Sequence, residues 1–261
     1  MQFVQVSDTD EVRILKLSRD KANAINLQMV EELIESVQYA GSVNDVRAVV
    51  LGSATSGFFS AGFDVGEVFS YNVAEMRHFF GRFVDLYENV LRFPKPVIGA
   101  LSGHVFAGGA FLALAFDVRV MAEGKWGFAL NEINLGVILP PGVRRMLINA
   151  VGAHEATRMI LSGDSVGPRR ALEIGLVDEV VHEQDVLPTA IARAHKLAEK
   201  PAGVYSFSKN ALQHDLGYAE NSSDRGWMDG FLAQWFSPEC TERRLALAAS
   251  LGRSPLKDAP V

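Results

Sequence analysis

The sequence predicts an α/β fold with a largely parallel, buried sheet, followed by a mostly helical C-terminal part. Short runs rich in Val, Ile and Leu alternate with helical patterns over the first 140 or so residues, and the pattern beyond them is almost wholly helical. At 48% apolar and 21% charged residues, the 261-residue chain can bury a full core without a metal or a disulfide. Its one cysteine, Cys240, excludes an intrachain disulfide and fits a reducing compartment.

The first elements alternate between strands and helices. Residues 3–6 and 12–17 alternate apolar and polar side chains and predict a hairpin, whereas the apolar spacing of residues 27–40 predicts a helix. The same criteria predict a strand at 46–51, a Gly/Ser-rich loop at 52–62, a helix at 73–92 that ends before Pro94 and Pro96, a strand at 97–101, a buried helix at 108–116 and a strand at 118–121.

The C-terminal part is predicted to be helical and rich in aromatic residues. Helices are expected at 142–151, 153–162, 168–175, 185–199, 202–213 and 222–236, with one strand at 177–181. The tail carries Phe207, Tyr218, Trp227, Phe231, Trp235 and Phe236. Exposure of so many rings is costly, so the tail is expected to pack on its own core or on a partner subunit.

Charge and hydropathy exclude several classes of function. The net charge is −6 with a pI near 5.6 and no basic tract, which argues against nucleic-acid binding. No apolar run reaches the roughly 18 residues of a membrane span, so no membrane association is expected. The alternating N-terminus predicts no signal peptide, and we expect a cytoplasmic protein. The six histidines show no metal-ligand spacing, so no metal is expected.

Two loops rich in small residues each precede a predicted helix. Residues 57–65 follow a strand, and their small side chains would let a ligand approach the main chain, while Asp64 could cap the next helix. Residues 96–111 end in the pair Gly108–Gly109, which opens a buried helix where free N–H groups favour negative charge. Taken singly, each loop fits a plain turn or close helix packing equally well.

A third segment places a carboxylate in apolar surroundings. Glu132 lies within the apolar stretch 127–137, and burial would raise its pKa toward neutrality, which suits a general base. A partly exposed glutamate at a loop edge fits the same pattern. The glycine spacing matches neither a dinucleotide fingerprint nor a phosphate loop, so neither of those sites is expected.

Together, in this order, the three segments resemble the loops of the enoyl-CoA hydratase/isomerase (crotonase) superfamily. The loops of that family read roughly F-S-A-G-A-D-L, K-P-V-I-A-A-V-x-G-x-A-x-G-G-G and E-x-x-L-G. They correspond here to residues 59–65, 95–109 and 132–136. Residues 19–26 are similar to the coenzyme A loop of the family, and residues 161–164 and 171–178 match later landmarks. The resemblance implies a spiral of repeated β-β-α units.

The resemblance also implies the domains and the site. It implies an acyl-CoA-binding catalytic core at 1–200 and a helical trimerisation region at 201–261. The oxyanion-hole N–H groups would belong to Phe63 and Gly108, and Glu132 would be the catalytic acid–base group. The substrate-binding residues would be Ala22, Ala24, Ala61, Gly62, Asp64, Val65, Gly109, Phe111, Asn131 and Leu135. Coenzyme A would enter as part of the acyl-CoA substrate, with no separate cofactor.

One departure from the pattern of the family bears on the reaction. Hydratases of the family use two glutamates, and the first would stand at Phe111, which cannot hold a water or carry a proton. A single Glu132 suits a proton shuttle that converts a 3-enoyl-CoA to the 2-trans isomer. The resemblance is greatest to 3,2-enoyl-CoA isomerases, which implies a place in fatty-acid β-oxidation.

Several alternatives stay open from the sequence. The chain could instead be a hydratase-like enzyme, an acyl-CoA hydrolase or a non-catalytic acyl-CoA-binding protein. Arg19, Lys21 and Lys95 could approach coenzyme A phosphates or be solvated, and His104 could line the pocket. The resemblance implies a homotrimer or a hexamer. Acyl-chain length would depend on the pocket between the helix after the first loop and residues 135–141.

Overall fold

The computed structural model describes residues 1–218 and 226–252 as a mixed α/β structure. Within these residues the strands are β1 (Val4–Thr9), β2 (Val12–Leu17), β3 (Ala48–Ser53), β4 (Phe58–Ser60), β5 (Val97–Leu101), β6 (His104–Phe106), β7 (Val118–Ala122), β8 (Phe128–Ala129) and β9 (Glu179–Val181).

The helices follow the strands in regular alternation up to β8. They are α1 (Leu27–Ser42), α2 (Val65–Val68), α3 (Val73–Leu91), α4 (Gly108–Leu114), α5 (Pro141–Ser162), α6 (Pro168–Glu173), α7 (Val186–Ala198), α8 (Ala202–Asp215), α9 (Gly226–Trp235) and α10 (Pro238–Ser250). Two 3₁₀ turns, Glu132–Leu135 and Glu183–Asp185, complete the chain path.

The strands form two separate sheets, and from β3 to β8 the chain adds a strand to each sheet in turn. The larger sheet has the order β1-β2-β3-β5-β7-β9 and is parallel apart from the β1–β2 hairpin, and the smaller sheet is parallel with the order β4-β6-β8. Each pair of consecutive strands from β3 to β8 places its first strand in the large sheet and its second in the small one. The chain therefore winds as a spiral of β-β-α units, as expected.

Both faces of the large sheet are buried. Along β3, Val49 and Leu51 face the main core with α1, α3 and α4, whereas Ala48 and Val50 face a second cluster beneath α7. Helices on both faces of a parallel sheet explain why its strands are continuous apolar runs instead of alternating ones. The loops that contain the predicted site residues follow the ends of the parallel strands.

Most of the predicted elements are confirmed, with boundaries shifted by a few residues. The predicted helices at 142–151 and 153–162 are the two halves of α5, which Gly152 separates with a non-helical φ of 79° and ψ of 162°. The prediction missed β4, β6 and β8, because strands of two or three residues exist only through pairing with each other. It also missed α10. Residues 222–225 of the predicted last helix lie outside the described residues.

The aromatic C-terminal part packs largely on its own chain. The Phe231 ring stacks on Phe80 of α3, with ring centroids 4.1 Å apart, and Trp235 is buried in the same main core. Phe207 on α8, by contrast, is 76% exposed. The division of the chain at residue 200 stays a prediction. Within the described residues, no helix combines the length and apolarity that crossing a bilayer requires.

Candidate active site

The first predicted loop positions the backbone of Phe63. Ile25 donates its N–H to the carbonyl of Gly62 at 2.8 Å, and Asp64 donates its N–H to the carbonyl of Ile25 at 2.9 Å. In such a parallel bridge the N–H of the central residue, Phe63, points away from the paired chain. Gly62 has a φ of +93°, which glycine adopts at low cost, and this conformation turns the chain toward Phe63.

The second predicted loop delivers Gly108 at the first position of α4. The N–H groups of the first helical turn have no partner within their helix, so the N–H of Gly108 is free to bind an external acceptor. Ala107 precedes it with a φ of 47° and a ψ of −121°, an uncommon conformation for a residue with a side chain. Its N–H donates to the carbonyl of Ala129 at 3.0 Å, which anchors the turn.

The two loops meet closely enough to form one binding point. A Cβ atom added to Gly62 would lie 2.7 Å from the Cβ of Ala107 and 3.3 Å from the nitrogen of Gly108. Among the described residues, no oxygen accepts a hydrogen bond from the N–H of Phe63 or Gly108. The geometry therefore offers two neighbouring main-chain donors, one of them at a helix N-terminus, as an oxyanion hole requires.

Glu132 enters the same region from β8. It lies three positions after Ala129, whose carbonyl accepts the N–H of Ala107, and three positions of chain span at most roughly 10 Å. The Glu132 residue is only 6% exposed, and its Oε2 has no hydrogen-bond partner among the described residues. The neighbouring Oδ1 of Asn131 is likewise buried without a partner. Two adjacent unpaired buried oxygens are unusual in a core and typical of a functional site.

Burial determines the protonation of Glu132. Loss of solvation raises the pKa of its carboxyl to about 8, and a hydrogen bond from its own backbone N–H offsets only part of that effect. Within the described residues, no charged side chain shifts the pKa of Glu132, and it has no ion-pair partner. The group can therefore both accept and return a proton near neutral pH, which is the property that a proton shuttle needs.

The predicted coenzyme A loop, residues 19–26, lies against the first predicted loop, residues 57–65. Ala61 donates its N–H to the carbonyl of Ala22 at 2.9 Å, and the guanidinium of Arg19 donates to the carbonyl of Ala24 at 2.5 Å. Arg19 also pairs with Asp64 at 2.5 Å, and both side chains are largely buried. The sequence left open whether Arg19 contacts a phosphate or is solvated at the surface. In the structure it forms an internal ion pair instead.

Asp64 is held within the protein by that pair and by α2. Its side chain accepts hydrogen bonds from the N–H groups of Gly66 and Glu67, so it is the N-cap of α2. Because the carboxylate is engaged on both sides, we interpret Asp64 as a residue that fixes the shape of the loop next to Phe63. Val65 begins α2 directly after it, and its substrate contact stays a prediction.

Asp64→Asn is expected to lower the free energy of unfolding by about 3 kcal/mol, because it removes the near counter-charge of the largely buried Arg19 guanidinium and leaves only the more exposed Glu67 carboxylate, 3.9 Å away. The matched control is Asp229→Asn, which breaks the exposed Arg77–Asp229 pair and is expected to cost less than about 1 kcal/mol. Urea unfolding of both variants measures the difference. Equal losses would show that the buried pair does not fix the loop.

Other candidate residues have contacts of their own. Phe111 lies on α4, fully buried with its ring centroid 6.2 Å from that of Phe83, and its contact with substrate stays a prediction. His104 begins β6, at the end of the strand opposite Gly108, and its Nδ1 accepts the N–H of Gly127. Lys95 donates to the carbonyls of Ala40 and Val43 at the end of α1. These contacts assign His104 and Lys95 structural roles instead of pocket or phosphate contacts.

Several supporting residues were missed by the sequence analysis. Asn23, fully buried with a φ of 47°, donates to the carbonyl of Phe59 at 3.0 Å. Its own carbonyl accepts the hydroxyl of Ser60, which in turn accepts the N–H of Gly62. Asn is one of the few residues tolerated at positive φ, so its place among small residues was the available signal. The helix α10 was also missed, and it packs against the turn that carries Glu132.

Comparison with known proteins agrees with this geometry. The family model described as enoyl-CoA hydratase/isomerase matches residues 8–231. The mitochondrial enoyl-CoA delta isomerase 1 of Mus musculus is 32% identical over 212 residues, covering 81% of this chain and 73% of that protein. The 2,3-dehydroadipyl-CoA hydratase of Escherichia coli (strain K12) is 31% identical over 214 residues, covering 82% of each protein.

The fold is shared with solved structures of the same family. The human mitochondrial delta3-delta2-enoyl-CoA isomerase superposes with a TM-score of 0.91 and 24% identity, covering 96% of this chain and 98% of that chain. At that identity the likeness establishes the crotonase fold and not the reaction. Family model, sequence relatives and fold agree: the chain belongs to the enoyl-CoA hydratase/isomerase family and is an acyl-CoA enzyme of the crotonase superfamily.

Proposed function

We propose that the enzyme shifts the double bond of a 3-enoyl-CoA to the 2-trans position, with Glu132 as the proton shuttle. The observation that carries the proposal is the placing of one buried carboxyl group, whose Oε2 has no partner among the described residues, near two main-chain donors that are likewise without an acceptor there. The N–H groups of Phe63 and Gly108 would bind the thioester oxygen. Glu132 would lie over the carbons of the acyl chain next to it.

The reaction needs one base and no added reagent. The carboxylate of Glu132 removes a proton from C2, and the electrons of that bond move into the thioester, whose oxygen becomes an enolate stabilised by the two N–H groups. The double bond then forms between C2 and C3, and the acid form of Glu132 returns the proton at C4. Atoms and charge balance, because the proton that leaves C2 is the proton that arrives at C4.

The environment of Glu132 favours isomerisation over hydration. Hydration in this family needs a second carboxylate to orient water, and the corresponding residue is the fully buried Phe111. An apolar side chain there gives a water molecule nothing to bind. Hydratases do occur among the relatives, as the Escherichia coli protein shows, so a hydratase-like reaction is the second candidate.

The remaining site residues follow from the same arrangement. We propose that Ala22 and Ala24 present main-chain groups to coenzyme A, since their loop is joined to the first predicted loop by the hydrogen bond from Ala61 to Ala22. We propose that the thioester also contacts the main chain at Gly62 and Gly109; Gly109 packs so closely on Ser60 that a Cβ atom there would lie 2.7 Å from the Cβ of Ser60. Asn131 and Leu135, on either side of Glu132 in the chain, would contact the acyl group. Coenzyme A belongs to the substrate, so no separate cofactor is proposed.

Incubation with 3-hexenoyl-CoA tests the proposal. Isomerisation keeps the mass of the substrate and creates the ultraviolet absorbance of a conjugated thioester, hydration adds the mass of water, and hydrolysis releases a thiol that a thiol-reactive dye detects. We expect conjugation without a mass change. The absence of conjugated product, with either of the other two signals, would contradict it, and binding without any turnover would indicate a non-catalytic acyl-CoA-binding protein.

The cellular location and the assembly of the enzyme are also proposed. We propose a cytoplasmic enzyme that serves the β-oxidation of unsaturated fatty acids. A homotrimer or a hexamer is proposed because α8 leaves Phe207 and other apolar side chains exposed, and such a surface is favourably covered by another subunit.

A further inference from the structure

The side chain of Phe63 is fixed on one side by the phenylalanines of α3. Its ring meets those of Phe79, Phe80 and Phe83 edge to face, with centroids 5.0, 5.7 and 4.9 Å away. All three neighbours are at most 1% exposed. Edge-to-face contacts are the favoured geometry for aromatic pairs, so the ring has a well-defined resting place.

The same ring lies directly against the second oxyanion donor. A Cβ atom added to Gly108 would lie 2.6 Å from the nearest ring carbon of Phe63, so the ring covers the Cα of Gly108. Phe63 itself is only partly buried, in contrast to the fully buried rings behind it. The exposed remainder of Phe63 therefore forms a wall of the site beside the two N–H groups.

Behind the Phe63 ring, its aromatic neighbours are themselves packed against further buried rings. Phe80 stacks on Phe231 of α9 at 4.1 Å, and Phe83 contacts Phe111. Protein interiors are close-packed, so a ring that is held from behind cannot swing away without displacing several others. Further along α3, the hydroxyl of Tyr87 lies 3.4 Å from the Cβ position of Gly142, so α3 extends this wall to the residues just after 135–141.

We propose that the Phe63 ring closes the acyl side of the site and makes the enzyme selective for short-chain acyl-CoA thioesters. The inference rests on the proposed function in one respect, because it takes the thioester oxygen to lie between Phe63 and Gly108. An acyl chain that leaves this point meets the ring within its first few carbons. A short chain ends before the ring obstructs it, whereas a long chain has to displace the ring from its aromatic neighbours.

The binding of saturated acyl-CoA thioesters, which have no double bond to shift, tests the proposal by calorimetry. An open apolar pocket would tighten binding roughly fourfold for each additional buried methylene. We therefore expect the wild type to bind decanoyl-CoA no more tightly than butanoyl-CoA. In Phe63→Ala, which keeps the main-chain N–H, we expect decanoyl-CoA to bind at least ten times more tightly than butanoyl-CoA. A wild type that already prefers decanoyl-CoA, or an unchanged ratio in the variant, overturns the proposal.

Two further variants keep the test decisive. Phe63→Leu keeps more of the packing, so it serves if Phe63→Ala does not fold, and we expect a smaller change of the ratio in the same direction. Phe79→Leu loosens the same cluster from its fully buried side but leaves the Phe63 ring in place, so we expect it to change the ratio less than Phe63→Leu does. An equal effect of Phe79→Leu would assign the selectivity to general packing and overturn the role of Phe63.

The two proposals fail in different ways. If 3-hexenoyl-CoA is conjugated but the binding ratio does not respond to Phe63→Ala, the isomerase proposal stands and the short-chain inference is wrong. If the ratio responds but no conjugated product forms, the ring controls chain length in an enzyme of another reaction.

Discussion

Glu132→Gln is expected to reduce the conversion of 3-hexenoyl-CoA by roughly a hundredfold to ten-thousandfold, the usual contribution of a positioned acid–base group. Glutamine keeps the shape of the side chain but accepts no proton. Stopped assays at saturating and subsaturating substrate measure kcat and kcat/KM. We expect both to fall together, since the proton transfer belongs to the transition state and not to substrate binding.

The pH dependence of the wild type gives an independent measure of the same group. The proton at C2 is removed by the carboxylate form, and burial raises the pKa of Glu132 to about 8. Below that pH, kcat/KM should therefore rise about tenfold for each pH unit, and above it the value should level off. A rise centred between pH 4 and 5 would contradict the buried, unpaired environment.

Stability measurements show whether Glu132→Gln loses activity because the proton transfer is lost or because the variant is less stable. Because the folded-state pKa of Glu132 lies above the ordinary value of 4.5, the folded wild type binds more protons than the unfolded chain between these two values. The free energy of unfolding therefore falls as pH rises through this window, by at most about 1.4 kcal/mol per pH unit. Glu132→Gln removes this loss, so urea unfolding should find the variant more stable than the wild type at pH 8 and similar near pH 4.

Gly62→Ala is expected to lower kcat by roughly a hundredfold or more, the effect of losing one oxyanion donor. The new methyl group would lie 2.7 Å from the Cβ of Ala107 and 3.3 Å from the nitrogen of Gly108. To relieve these contacts, the two loops have to move apart. A main-chain donor has no side chain to remove, so a steric displacement of this kind is the available test.

The matched control is Gly152→Ala. Gly152 has a φ of +79°, close to that of Gly62, but nothing lies within 4 Å of its Cβ position. Both substitutions place a side chain at a positive φ, which costs of the order of 1–3 kcal/mol. We therefore expect both variants to lose stability in thermal unfolding and only Gly62→Ala to lose kcat. If kcat falls equally in both, the loss comes from backbone strain and not from the oxyanion hole.

Local sequence patterns were enough to predict the long helices and strands but not the strands of the small sheet. The helices α1 and α3 carry clear apolar periodicity, and β5 is a continuous apolar run, so each was predicted close to its observed bounds. The strands β4, β6 and β8 have two or three residues each, too few for any periodicity. They exist because successive turns of the spiral bring them together, and pairing between distant residues leaves no local signal.

The site shows the same division. The glycines at 62 and 108 and the apolar setting of Glu132 were visible in the sequence, because close main-chain approach and carboxylate burial each restrict the residue types nearby. The partner of Arg19 was not visible, since Asp64 lies 45 positions away and becomes a neighbour only in the folded chain. The same is true of the hydrogen bonds that link Asn23, Ser60 and Gly62.

The sequence by itself determined the α/β class, the three loops, and the presence of one candidate carboxylate where the pattern of the hydratases has two. These properties depend on residue type and on spacing along the chain. Only the tertiary structure decided that Glu132 is buried with one oxygen that no described residue binds, that the two glycine loops meet at one point, and that the Phe63 ring covers Gly108. The physical reason is that desolvation and close approach depend on which distant residues fill the space around a group.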